Sequence, residues 1–412
     1  MNSSHRRLRL ACYTSNISMS VVANLPPLLF LTFRSMYGLS FSQLGLLILI
    51  NYCTQLTVDL IFSFFSHRFN IPLTVKLTPV LTVTGLLLYA LWPFLCPGAV
   101  YPGLLLGTVV FSSAAGLVEV LISPVIAAIP AEDPDREMSK LHSVYAWGVV
   151  GVVPISTLFL LAFGNSSWQW LMLLFVLVPL TSVLLFAGAE IPSVATPEKT
   201  SGSLQLLKNP GLLLSILAIF LGGAAECTMA QWSSSYLEQA FRIPKVWGDM
   251  FGVTLFALML GLGRTIYAKY GKNLSRLLFL SVIGAAACYL IAAVTSQPIV
   301  ALAACALTGL CTAMLWPGNL VIASERFPAG GVFVFAAMAS GGDLGAAVAP
   351  QLVGMITDAA IASPLAVQAA ASMNIAPEQL GMKLGMLVGM LFPLAAIFVQ
   401  FRLFKTSKVK KY

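Results

Sequence analysis

Apolar segments of roughly 20 residues follow one another along almost the whole chain, and short polar loops separate them. A helix of that length spans the hydrocarbon core of a bilayer. Only 9% of the 412 residues are charged and 58% are hydrophobic, whereas soluble domains carry about 25% charged residues. A chain with so little polar surface needs lipid as its solvent, so we predict an all-α membrane protein. The predicted transmembrane helices are twelve: 11–37, 40–65, 72–95, 98–130, 139–163, 168–190, 209–240, 246–269, 274–296, 298–325, 329–360 and 379–404.

The positions of Lys and Arg predict the orientation, because basic residues concentrate in cytoplasmic loops. If the N-terminus lies inside, 19 of the 23 Lys and Arg residues fall in cytoplasmic segments. We therefore expect a multi-pass protein of the cell (inner) membrane with both termini in the cytoplasm. The basic opening stretch MNSSHRRLRL leads directly into an apolar run, which favours an uncleaved first span.

One polar stretch interrupts the apolar pattern near the midpoint of the chain. Residues 190–210, EIPSVATPEKTSGSLQLLKNP, combine Pro, Gly, Ser and Thr with both signs of charge, which is typical of a linker. We therefore predict a six-helix bundle at 1–190, a cytoplasmic linker at 191–208 and a second six-helix bundle at 209–412.

The two predicted bundles repeat one another in sequence. An offset of 193 aligns GLVEVLISPVIAAIPAE with GLCTAMLWPGNLVIASE, which places Gly116 on Gly309 and Pro124 on Pro317. A second match, WGVVGVVP with DLGAAVAP, follows at an offset of 196. Chance matches among common residues such as Gly and Leu are the alternative, but identities in the same order across two helices favour a duplication.

The sequence lacks the motifs of several other functions. The seven cysteines are scattered, with no C-x-x-C and no pairing with His, so we interpret them as free thiols. There is no Walker A loop to bind ATP, and no H-E-x-x-H or G-x-S-x-G to support a hydrolase. The net charge of +8 is spread over loops and tails, which does not indicate a nucleic-acid partner. We expect a monomeric non-enzyme that needs no cofactor and no metal.

Four acidic residues lie deep in predicted spans: Asp59, Glu119, Glu226 and Asp343. The other eleven acids lie in predicted loops, tails or helix ends. A charge at mid-bilayer costs roughly 2.5–3.5 kcal/mol on insertion scales, and no Lys or Arg is predicted at the same depth. Because burial in an apolar cavity favours the protonated form of a carboxyl, we predict that Glu119 is the proton-coupling residue. The alternative is that each acid is hydrogen-bonded to a neighbouring helix, neutral and without a role.

Further polar and aromatic residues at helix depth are candidates for solute binding. Asn51, Gln55 and Asp59 form a stripe on one helix face, because residues four apart are neighbours there. Amide side chains bond hydroxyl groups in both directions, and an indole ring stacks on the face of a sugar. A lone histidine is more often a packing residue than a metal ligand. The predicted substrate-binding residues are Asn24, Gln55, Asp59, His142, Trp147, Glu226, Gln231, Trp232, Trp316, Asn319 and Asp343.

The twelve spans in two halves, the central linker and the repeat together resemble the major facilitator superfamily over essentially the whole chain. Within it, GLVEVLISPVIAAIP is similar to the fourth span of the fucose–proton symporter group and its sugar-transporter-like relatives. The stretches LHSVYAWGVVGVVP, GAAECTMAQWSSSYLE and GGDLGAAVAPQLVGMITD also resemble that group. The resemblance implies two parallel six-helix repeats and a protonatable glutamate in a central cavity, which matches Glu119.

The chain departs from that group at three places. The first-span stretch VVANLPPLLF has no aspartate, Ser123-Pro124 stands where the group has Asn-Pro, and His67 stands where an aspartate is usual. The resemblance therefore does not imply that fucose is the substrate.

We expect a secondary transporter that moves a small polar solute, a sugar, by alternating access in symport with protons. The alternatives are an exporter of amphiphilic drugs or lipids by proton antiport, a non-transporting sensor with the same fold, and a membrane enzyme. The sequence leaves open the identity of the substrate, the coupling ion (proton, sodium or none), the direction of transport and the oligomeric state.

Overall fold

The computed structural model describes residues 3–65, 68–130, 134–192, 203–270, 272–327 and 331–409, without the side chains of some residues near these bounds. In these ranges the regular secondary structure is entirely helical, and eleven helices are long and apolar enough to cross a membrane. A bent pair of helices at the start of the chain supplies a twelfth span. Each of the twelve predicted spans overlaps one of these segments, so the predicted all-α membrane architecture is confirmed.

The chain divides into two compact units by its internal contacts: Met1–Tyr37 with Ile50–Lys199, and Gly38–Leu49 with Thr200–Tyr412. The predicted bounds of the two bundles stay a prediction. The helices that begin before residue 200 are α1 (Ser3–Leu28), α2 (Phe30–Tyr37), α3 (Phe41–Phe65), α4 (Ile71–Leu95), α5 (Val100–Ala128), α6 (Pro134–Phe163) and α7 (Trp168–Ala187). Those that follow are α8 (Pro210–Phe241), α9 (Lys245–Trp247), α10 (Leu255–Tyr270), α11 (Leu274–Val294), α12 (Pro298–Thr312), α13 (Leu315–Arg326), α14 (Gly331–Ala362), α15 (Pro364–Ser372), α16 (Pro377–Gly389) and α17 (Leu391–Val409).

The first span is bent because two prolines interrupt its hydrogen bonds. Pro26 and Pro27 lie at the end of α1, and the axis turns by 47° between α1 and α2. Proline has no backbone N–H and its ring crowds the preceding turn. The N–H of Leu29 bonds the carbonyl of Pro26 at 3.0 Å, a tighter turn than that of an α-helix.

Three spans of the second unit are interrupted. A seven-residue π-helical segment, Gly248–Thr254, separates α9 from α10. The tenth span breaks at Ala313 and Met314, between α12 and α13, and the twelfth breaks between α16 and α17. Broken spans expose carbonyl and N–H groups that need partners inside the protein. The short helix α15, between spans eleven and twelve, was not predicted.

Equivalent glycines of the sequence repeat allow two helix backbones to approach closely in each unit. A Cβ added at Gly116 in α5 would lie 3.1 Å from the carbonyl oxygen of Gln55 in α3. A Cβ added at Gly309 in α12 would lie 2.2 Å from the carbonyl oxygen of Phe256 in α10. Only a residue without Cβ lets the backbones approach this closely. Thus the fourth span packs against the second, and the tenth against the eighth, through matching glycines.

Candidate functional site

Polar residues of α3 and α5 meet along a line that we call the α3–α5 seam (Asn51, Gln55, Asp59, Ser112, Gly116 and Glu119). The hydroxyl of Ser112 donates to Oδ1 of Asn51 at 2.6 Å, and both residues are buried. One turn further, Gly116 lies against the backbone of Gln55, whose side chain is 5% exposed. The residue numbers rise together on the two helices, so α3 and α5 run parallel along the seam.

The register of the seam places Asp59 and Glu119 at the same level. Both contacts, Asn51 with Ser112 and Gln55 with Gly116, join residues that are 61 positions apart. The same offset from Asp59 leads to Val120, the neighbour of Glu119 in the chain. Asp59 and Glu119 therefore lie at the same level on two adjacent parallel helices.

The two carboxyls differ in their surroundings. Asp59 is half-buried, whereas Glu119 has an exposed side chain between buried neighbours such as Val118. Among the described residues, no Lys, Arg or His forms an ion pair with Glu119. The carboxyl of Glu119 is thus not fixed by a cation of the described chain. A group in this situation can take up and release a proton.

Glu226 in α8 has a cationic partner, which corrects one prediction. Nη2 of Arg264 lies 3.4 Å from Oε1 of Glu226. The prediction that no Lys or Arg lies at the depth of the four acids is therefore wrong. Arg264 was assigned to the basic residues of a cytoplasmic segment, but it lies within α10, and its long side chain reaches α8. The pair carries no net charge when both groups are ionised.

Arg264 also holds the broken tenth span. Its Nε donates to the carbonyl oxygen of Ala313 at 3.1 Å. Four residues after Ala313 stands Pro317, which has no N–H to complete the usual helical bond. The guanidinium supplies the donor that the proline removes, and it connects α8, α10 and the break in one network.

The second oxygen of Glu226 remains available. Its Oε2 is buried and makes no hydrogen bond to any described residue. A buried carboxyl oxygen without a donor is costly, and a solute hydroxyl, a water molecule or a proton on the carboxyl would satisfy it. This oxygen is one of several buried polar atoms of the second unit without a hydrogen-bond partner among the described residues.

Trp316 is positioned by glycines of two other helices. A Cβ added at Gly342 in α14 would lie 2.5 Å from Cη2 of Trp316, and one at Gly223 in α8 would lie 3.1 Å from its Cζ3. The indole therefore rests on bare backbone, one turn from Glu226 along α8. Asp343, the residue after Gly342, is 4% exposed. Thus α8, α13 and α14, the helices that contain Glu226, Trp316 and Asp343, pack together within the second unit.

Three other predicted contacts already use their polar groups inside the protein. Nε1 of Trp232 donates to the carbonyl of Pro350 at 3.0 Å, and the side chain is fully buried. Asn319 donates to the carbonyl of Leu315 at 2.6 Å and accepts from Gln400 at 2.7 Å. The amide of Asn24 donates to Ser20, one turn back in α1. Their predicted role as solute contacts is not favoured by this geometry.

The positions of the remaining predicted residues neither favour nor oppose a role in solute binding. Gln231 is buried, with 7% exposure, and Trp147 is 69% exposed. The side chain of His142 lies outside the described residues, as does His67 of the loop after α3. Their roles stay predictions.

Two acids that were assigned to helix ends are integrated into the second unit. Asp249 is fully buried; Ser234 donates to it, and Nζ of Lys245 lies 3.1 Å from both of its oxygens. The spacing of Lys245 and Asp249, four residues apart, was a signal that could have identified this pair.

Asp358, near the end of α14, is the second of these acids. Its two oxygens accept from the backbone N–H groups of Phe41 and Ser42, at 3.0 and 2.6 Å. It thereby caps the beginning of α3, where negative charge is favoured. The sequence contains no local signal for this contact, because the partners are more than 300 residues apart.

Comparison with known proteins gives a family and a set of similar folds. The sequence profile of the Major Facilitator Superfamily matches residues 11–350. A bacterial homologue of the human lysosomal transporter Spinster, inward-facing and occupied, has a TM-score of 0.69 and 14% identity, over 100% of this chain and 98% of that one. A D-xylose–proton symporter has a TM-score of 0.70 and 16% identity, over 96% of each chain. The nucleoside transporter NupG has a TM-score of 0.69 and 13% identity, over 100% of each chain.

At these identities the structural likeness shows the fold alone. No curated protein matches the chain by sequence. The comparisons do not confirm the narrower resemblance to the fucose–proton symporter group, which stays a prediction.

Proposed function

The chain belongs to the Major Facilitator Superfamily, and we propose that it is a proton-coupled importer of a small, neutral, polyhydroxylated solute such as a sugar. It is a multi-pass membrane protein. We further propose that it works in the cell (inner) membrane as a monomer with both termini in the cytoplasm. The observation that carries the proposal is that Asp59 and Glu119 lie at the same level along the α3–α5 seam.

Proton coupling rests on this pair of carboxyls. Two carboxylates at one level repel each other when both are ionised, so binding of one proton relieves the repulsion. The exposed Glu119 takes the proton from outside, and the half-buried Asp59 is its neighbour on the seam. In the proposed cycle the solute binds the protonated form, access alternates, and the proton leaves on the inside.

Solute binding is assigned to the second unit. Oε2 of Glu226 is a buried acceptor ready for a hydroxyl donor. The Trp316 indole, held on Gly342 and Gly223, offers a fixed aromatic face for a sugar ring. Arg264 is neutralised by Glu226, so the group as a whole favours an uncharged solute.

The first experiment identifies the solute class. Purified protein is screened by thermal shift against sugars and amphiphiles at two pH values, because a ligand of the native state raises the apparent stability. Stabilisation by sugars supports the proposal. Stabilisation by amphiphiles alone would favour the exporter alternative, and binding without flux in liposomes would favour a non-transporting sensor.

The second experiment tests the coupling. Glu119→Gln should abolish uphill uptake into liposomes driven by a proton gradient, while counterflow exchange of labelled solute continues, because a neutral amide mimics the protonated acid but cannot titrate. The matched control is Glu325→Gln, the same change at an exposed position of α13, which should leave both activities intact. Concentrative uptake at the wild-type level in Glu119→Gln would remove this residue from the coupling role.

A further inference from the structure

A cavity of about 390 Å³ lies in the second unit beside α10, α11 and the break between α12 and α13. It is separate from the proposed solute-binding residues, none of which lines it. Most of its lining is apolar, and the lining includes Ile266, Leu277, Leu280 and Leu310. Leu280 and Ile266 are 52% and 46% exposed, so the apolar surface is open to the surroundings of the protein.

Two cations line the cavity at the beginning of α11. Lys272 and Arg276 are both exposed, and no Asp or Glu is among the lining residues. Within the part of the chain that the structure describes, neither cation forms an ion pair. The side chain of Asn273 is already engaged, since its Oδ1 accepts from the backbone N–H of Arg276 at 3.0 Å. The positive charge beside this cavity therefore lacks a negative partner.

Two tyrosines lie between the charged and the apolar parts. Tyr267 is half-buried and Tyr270 is 66% exposed, and both line the cavity. Tyrosine favours the level of the lipid headgroups, where its ring is in an apolar region and its hydroxyl is hydrated. Lys269, which lies 5.3 Å from the centre of the Tyr270 ring, adds a third positive charge nearby.

We propose that this cavity binds an anionic phospholipid, with the headgroup phosphate at Lys272 and Arg276 and an acyl chain along the leucines. Basic residues at a predicted cytoplasmic loop are expected from topology alone, but topology does not require an apolar cavity beside them. Free phosphate would match the cations but would leave the apolar surface unused. A phospholipid with a net negative charge matches both parts.

Native mass spectrometry of the detergent-purified full-length protein tests the proposal. Phosphatidylglycerol and phosphatidylcholine are titrated separately against wild type and the double variant Lys272→Gln/Arg276→Gln. Each basic residue near an anionic surface contributes about 1 kcal/mol, so the double variant should bind phosphatidylglycerol about thirtyfold more weakly. Phosphatidylcholine should bind wild type more weakly than phosphatidylglycerol does, and the double variant should change that affinity little.

The matched control is Arg68→Gln/Lys76→Gln, which removes the same charge at the same predicted membrane face in the first unit. It should retain phosphatidylglycerol as wild type does. Equal retention by Lys272→Gln/Arg276→Gln and wild type would overturn the proposal. Displacement of the lipid by millimolar inorganic phosphate would also overturn it, because the cavity would then be a phosphate site. Should the double variant be poorly folded, Leu280→Asn tests the apolar part: an uncharged polar side chain placed there should weaken retention of the lipid.

Discussion

Gly345→Ala should destabilise the second unit by separating two of its helices. A Cβ at Gly345 in α14 would lie only 2.0 Å from the carbonyl oxygen of Phe220 and 3.0 Å from the N of Ala224, both in α8. Real Cβ atoms essentially never come within 3.0 Å of another non-bonded heavy atom. Relief therefore requires a movement of more than about 1 Å, and the backbone atoms involved cannot rotate away.

The expected cost follows from overpacking in other proteins. An extra methyl group in a well-packed interior costs about 1–3 kcal/mol. Domains of 150–250 residues lose about 2–4 °C in Tm for each kcal/mol, so the variant should unfold about 2–12 °C below wild type. Because α8 carries Glu226 and α14 carries Asp343, we expect affinity for the solute to fall as well.

The measurement is thermal unfolding in detergent, followed by intrinsic tryptophan fluorescence. Gly261→Ala in α10 is the matched control, since a Cβ there would meet no heavy atom within 4 Å. Alanine is favoured over glycine within a helix by roughly 0.5–1 kcal/mol, so this control should unfold at or slightly above the wild-type temperature. Equal Tm values for Gly345→Ala and Gly261→Ala would refute the close packing of α8 against α14.

Two further substitutions test contacts described above by the same unfolding measurement. Asp358→Ala removes the acceptor of two N–H groups at the start of α3, so we expect a loss of about 0.5–2 kcal/mol as for other helix caps; an unchanged Tm would show that this cap contributes nothing. Ser112→Ala leaves Oδ1 of buried Asn51 without its donor, which should cost about 1–3 kcal/mol. Ser113→Ala removes a hydroxyl that bonds only its own helix at a half-buried position, so it should cost much less. An equal cost of the two variants would contradict the seam.

The architecture could be predicted because it depends on patterns along the chain. The length of the apolar segments predicted all twelve spans. The repeat aligned Gly116 with Gly309, although only the structure shows that both residues permit close approach of two backbones.

The pairings of polar side chains could not be predicted in the same way. Arg264 and Glu226 are 38 residues apart and lie on different helices, so no spacing rule connects them. The arginine also stands among other basic residues that follow the positive-inside pattern, which concealed its second role. Asp358 reaches α3 across 316 residues. Tertiary packing, which the one-dimensional pattern does not contain, decides such contacts.

Pro124 and Pro317 stand at equivalent positions of the sequence repeat, and each leaves a carbonyl without its usual helical donor. Pro317 deprives Ala313 of its helical donor, and Arg264 replaces it with a permanent cation. Pro124 likewise has no N–H to donate to the carbonyl of Val120, four residues before it. Val120 lies at the level of Asp59. Arg264 thus braces the tenth span across its break with a side chain that keeps its charge at any physiological pH.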